Sequence, residues 1–135
     1  MKIGDIEPVG VTSSILWDKE ITEWLRAYRS ATGRNLEFLH ADIQWRGAWQ
    51  TGLKKIATLM AHAGIPFGVI VDSDRPDTSD VDWVNHATER AGAIRQVLGH
   101  WPDQITFQSW SVCPRHFLPE DKKGTMTNLI AAFRS

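Results

Sequence analysis

Two runs decide how this chain is read: Asn35 to Trp49, NLEFLHADIQWRGAW, and Pro66 to Asp74, PFGVIVDSD. Each is a short apolar run whose C-terminal end delivers polar residues, His40 and Asp42 in the first, Asp72 and Asp74 in the second. Between them lies a segment of helical period. Leu53, Ile56, Ala57 and Met60 share one stripe, Gly64 closes it and Pro66 blocks re-entry. Strand, helix and strand in that order form a βαβ unit. Its carboxylates stand at the carboxyl ends of the strands, where α/β folds place their chemistry.

The same pattern extends in both directions. Lys2 to Val9 predicts a first strand, stopped at Pro8, with Glu7 where the ladder gives out. Thr12, Ser13 and Ser14 offer caps for a helix from about Ser14 to Ala31, whose apolar face is Ile21, Trp24, Leu25 and Tyr28. The second strand runs over Leu36 to Ile43, and alternation turns His40 and Asp42 to one face. Ala48 to Ala63 is the second helix. The third strand, Phe67 to Val71, is continuously apolar, as a strand buried on both faces should be. A helix over Asp80 to Leu98, a fourth strand over Gln104 to Trp110 and a last helix opening near Thr125 complete the order βαβαβαβα.

Strand starts recur about every βα unit and no hairpin signal intervenes, so all strands should be parallel. With sequential strand order, right-handed crossovers place every helix on one side. The expected fold is therefore α/β, four parallel βα units in one domain over residues 1–135, equivalent to half of a (β/α)8 barrel. A flavodoxin-like order with helices on both faces is the alternative. The half-barrel leads because polar residues follow all four strands, whereas a doubly wound sheet gathers its site at one switch point.

Bulk properties narrow the function. The chain has 135 residues and a formal net charge of −1 with no basic block, which argues against nucleic acid as the main partner. No apolar run is long enough for a bilayer. MKIGDIEPVG lacks the apolar segment of a secretory signal, so the chain as it stands reads as cytoplasmic, and a longer parent would bring its own address. Cys113 is the single cysteine, which excludes an intrachain disulfide and a cysteine-based zinc site. No phosphate loop of Walker or Rossmann spacing is present, so no nucleotide cofactor is expected. His40, Asp42, Asp72 and Asp74 are the residues an oxygen-rich metal site would draw on, but 72–80 lacks the central glycine and closing Glu of a calcium loop, and no metal is assigned. Asp74, Asp77 and Asp80 read as loop and cap residues. The seven tryptophans serve packing first; only Trp45, Trp49 and Trp110 follow strand ends, where an indole could stack on a sugar.

The runs GDIEP, HADIQWRGAWQTGLKKIATLMAHAGIPFGVIVD and FQSWSVCPRHFLPE resemble the C-terminal half of bacterial (β/α)8-barrel proteins of the glycoside hydrolase type. The resemblance implies a catalytic Glu followed by Pro at a strand end, which Glu7-Pro8 matches, although Ile6 replaces the Asn usual before it. It implies a second carboxylate on another strand, with Asp42 and Asp72 both placed for it and nothing choosing between them. It implies an aromatic sugar platform after the last strand, joined to its neighbour by a cis peptide, at Trp110-Ser111. Gln108 stands where a retaining enzyme would carry its nucleophile. His40, Trp45, Trp49, Gln108 and Trp110 are thus the expected substrate contacts and a carbohydrate the expected ligand. Four βα units leave one sheet face and two edges uncovered, so the chain should pair with a second copy or with a missing N-terminal half.

Overall fold

The computed structural model describes residues 1–10, 17–72 and 77–133, with the Trp17 side chain outside that description. The element order is β1 (Asp5–Val9), α1 (Trp17–Thr32), β2 (Leu39–Ile43), α2 (Trp49–Ala63), β3 (Phe67–Val71), α3 (Asp80–Leu98), β4 (Gln104–Phe107) and α4 (Met126–Ala132). All four strands are parallel and form one sheet in the order β1-β2-β3-β4. This sequential order is not the flavodoxin-like one, in which the first strand lies inside the sheet. Thr12, Ser13, Ser14 and Asp74 lie outside the described residues.

β3 spans Phe67–Val71 as expected, while the other strands are shorter than their runs suggest. β2 begins at Leu39 rather than Leu36, although the Glu37 amide already donates to the Ile3 carbonyl and the Asp5 amide to that of Phe38. β4 ends at Phe107, three residues early, because Ser109 and Ser111 turn the chain. Both hydroxyls reach the Cys113 carbonyl, that of Ser111 at 2.8 Å.

The chain divides into two compact units, Met1–Ile70 with Arg95–Ile105, and Val71–Ile94 with Thr106–Ser135. In the first, register pairs Asp5 with Leu39, Glu7 with Ala41, Val9 with Ile43, His40 with Gly68 and Asp42 with Ile70. Register partners project from the same face. One face therefore carries Val9, Leu39, Ala41, Ile43, Phe67 and Val69, all buried. Helix α2 covers it with Leu53, Ile56 and Met60. A Cβ on Gly52 would stand 2.9 Å from Cγ1 of Val9, so the glycine lets α2 sit close to the end of β1. Gly64, at φ 66°, ends α2 in the left-handed conformation that glycine adopts without strain.

The second unit buries Val71, Trp83, Ala87, Ala91, Ile94, Cys113, Met126 and Leu129. The α3 apolar residues recur at helical spacing from Trp83, which gives one buried stripe. Thr125 caps α4: its hydroxyl accepts the Asn128 amide at 3.2 Å and donates toward the Pro119 carbonyl at 2.8 Å.

Candidate functional site

The face of the first unit turned away from α2 is built from Ile6, Pro8, His40, Asp42, Gly68 and Ile70. On β2 the alternation is clean: Leu39, Ala41 and Ile43 are buried and His40 and Asp42 half-buried. His40 leans across β3, and its Nε2 lies 2.6 Å from Oε1 of Gln104 on β4. Beneath the ring is Gly68, where a Cβ would stand 2.3 Å from Cδ2 of His40. No other residue leaves that space. Phe38 packs on the same imidazole at 4.8 Å and lies over Gly4, which also has no room for a Cβ. Gly68 and Gly4 thus leave the space that the His40 and Phe38 rings occupy.

Asp42 stands one same-face position beyond His40, toward the carboxyl end of β2, and is half-buried. His40 and Asp42 share a face, as alternation predicts. Glu7 does not join them. Its register partner is Ala41, so its side chain leaves β1 on the face that α2 covers. The expected common rim for Glu7 and Asp42 is therefore not formed: two β-residues of opposite parity cannot reach one side of a sheet. Glu7 hydrogen-bonds to Asp5 instead, its neighbour two residues earlier on that same face. Burial first, then this bond and the Asp5 charge, push the Glu7 carboxyl up to about 7.

No protein-family model matches the chain, and no curated protein or solved structure matches it significantly.

Trp49 is 8% exposed and meets Trp45 edge-on at 5.1 Å. Its backbone and Cβ crowd Gly10, so it is core rather than platform. Trp45 is half-buried.

In the second unit, Asp72 follows β3 and is half-buried; its carbonyl accepts Nη1 of Arg90 at 2.6 Å. The Gln108 amide donates to the Val71 carbonyl, which carries pairing one residue past β4. Trp110 is 79% exposed. Its bond to Ser111 is not cis; the cis bonds among the described residues are Cys113–Pro114 and Leu118–Pro119. Trp110 lies between Ser109 and Ser111, whose hydroxyls both reach the Cys113 carbonyl.

Sequence reasoning treats Asp77 and Asp80 as loop and cap residues, and each has a second partner. Asp77 is 8% exposed and lies 2.5 Å from Nδ1 of His86, while Cys113 Sγ donates weakly to the Asp77 carbonyl. Asp80 accepts the Arg115 amide and Nδ1 of His116, both at 2.8 Å. These bonds, the backbone one first, hold its carboxyl below the usual range. The hydroxyl that caps this helix belongs to Ser79, which accepts the Asp82 amide at 3.1 Å. Nothing in the sequence signals contacts made 35 residues away. Among the described residues no three His, Cys, Asp or Glu side chains gather as a metal site would require.

Proposed function

We propose that this chain is a glycoside hydrolase-like half of a (β/α)8 barrel that binds carbohydrate at the carboxyl ends of its strands, with Asp42 as the acting carboxylate. One observation carries the reading: His40 of β2 meets Gln104 of β4 over the glycine of β3. Barrel interiors are filled in layers supplied by alternate strands, and this bridge has that form. Below it Phe38 packs on the imidazole and would close a barrel interior on that side. Above it, toward the strand ends, comes Asp42. A layer that plugs one end and leaves a carboxylate at the other is how such barrels separate stability from chemistry.

Glycosidic cleavage requires one protonated and one ionised carboxyl flanking the scissile bond. The Glu7–Asp5 pair does not serve: carboxyls in direct hydrogen bond are closer than the roughly 5 Å even of a retaining pair, and they lie on the helix-covered face. The resemblance also offers Asp72, which belongs to the second compact unit. Trp110 supplies an exposed indole suited to stacking on a sugar face. The turned-away Glu7 also favours a second reading, a half-barrel that keeps the groove, assembles, and does not turn over.

A panel of aryl glycosides and polysaccharides tests both. Hydrolysis should fall by at least about a hundredfold in Asp42→Asn and persist in Glu7→Gln. Tryptophan fluorescence that responds to a sugar without product release would leave the binding reading alone standing. Neither response would end both.

A further inference from the structure

We infer that Gln104 fixes the proton of His40 on Nε2, so that the ring holds out an unprotonated Nδ1 beside Asp42, and that these two acceptors together receive hydroxyl hydrogens of a neutral sugar. The ligand named here rests on the carbohydrate reading; the tautomer does not. Phe38, His40, Asp42, Gly68 and Gln104 all belong to the first compact unit.

The proton comes first. Nε2 of His40 lies 2.6 Å from Oε1 of Gln104. A carbonyl oxygen only accepts, so the hydrogen in that contact is the ring's own, on Nε2. A neutral imidazole carries one N–H, which leaves Nδ1 with its lone pair. Gln104 is therefore a positioning residue: it selects the tautomer.

The direction of the lone pair follows from what the ring rests on. A Cβ at Gly68 would meet Cδ2 at 2.3 Å and Nε2 at 2.6 Å, so the Cδ2–Nε2 edge is the one that lies over β3. Nδ1 is the apex opposite that edge and is turned away from Gly68 and Gln104. Phe38 packs against the ring at 4.8 Å and brings neither a donor nor an acceptor to it. Among the described residues Nδ1 has no hydrogen bond.

Asp42 completes the pair. It follows His40 on the same face, so the two Cβ atoms stand about 7 Å apart, two steps along a strand. Its carboxylate also has no hydrogen bond or ion pair among the described residues, and both side chains are half-buried. Two partly desolvated acceptors call for a ligand that brings hydrogens, as a sugar ring does on its hydroxyls. A carboxylate or phosphate on the ligand would instead meet the Asp42 charge. A metal ion would lack a third His, Cys, Asp or Glu ligand among the described residues.

Heteronuclear nitrogen NMR of the full chain, with the His40 signals assigned by their loss in His40→Asn, tests both halves. On the neutral ring the proton should sit on Nε2 and exchange slowly enough to be seen. It should vanish in Gln104→Ala and return in Gln104→Glu, whose carboxylate restores the acceptor. Methyl glycosides of glucose, galactose, mannose and xylose are then titrated alongside glucuronate and a hexose phosphate. At least one neutral glycoside should move the Nδ1 resonance, and the charged sugars should bind at least about tenfold more weakly. A proton on Nδ1 in the natural chain, or a spectrum unchanged in Gln104→Ala, overturns the inference. So does tryptophan fluorescence that responds to a sugar while Nδ1 stays still, a result that leaves the carbohydrate reading in place. Silence of both probes toward every sugar, with the proton on Nε2, removes the carbohydrate reading and the ligand named here and leaves only the tautomer.

Discussion

Nε2 of His40 and Oε1 of Gln104 lie 2.6 Å apart, 64 residues distant in sequence, with Gly68 of the intervening strand directly under the imidazole. The pair joins β2 to β4 without a backbone bond between them. It depends on a missing side chain, because a single Cβ at position 68 would occupy the ring's place.

Gly68→Ala therefore tests the arrangement. The new Cβ would meet the imidazole at 2.3 Å and Gln104 Cβ at 3.1 Å, so the ring must swing off Gln104. Unfolding in urea should show a loss of about 1–3 kcal/mol, the range for overpacking a filled interior. Gly92→Ala is the control: nothing lies within 4 Å of a Cβ there, and a helical alanine should stabilise by about 0.5–1 kcal/mol.

Glu7 should make stability depend on pH near neutrality. Its folded pKa is raised from 4.5 to about 7, so the folded state binds the proton more tightly than the unfolded one. That contribution is fully present below about 4.5 and is lost as pH rises through about 7. Urea midpoints measured between pH 4 and 8 should decline across this window for the natural chain. In Glu7→Gln the decline should flatten, and the variant should be the more stable of the two at pH 8.

Asp80 should act in the opposite sense. Its carboxyl is held low by the Arg115 amide and by His116, so its contribution is present above 3.8 and is lost as pH falls through the lower folded value. Asp80→Asn should cost about 1 kcal/mol at pH 7, and the cost should shrink as pH falls through the lowered folded value, where the natural residue itself becomes neutral. Chemical denaturation across a falling pH series measures the difference.

Thr125→Ala should destabilise by about 1–2 kcal/mol, since a fully buried hydroxyl that caps α4 and also reaches Pro119 is removed. Thr125→Ser should recover most of the loss in the same denaturation assay, because serine returns the oxygen and gives up only a methyl group.

The sequence by itself determined the order of elements and their polarity. Helical stripes ending at Gly64 and Gly99, a continuously apolar Phe67–Val71 and the absence of hairpin turns leave parallel βα units as the consistent reading, and the strands are parallel and sequential. These are local signals, carried by residues a few positions apart. It also placed His40 and Asp42 on one face, since alternation within a strand needs no partner. Tertiary structure decided which carboxylates share a side. Register between β1 and β2 pairs Glu7 with Ala41 and turns it away from Asp42, and a shift of one residue would have reversed that outcome. Register is a relation between strands some thirty residues apart, so neither strand's own pattern contains it. The bonds from His40 to Gln104 and from Asp80 to His116 are of the same kind: their geometry exists only once distant segments have packed.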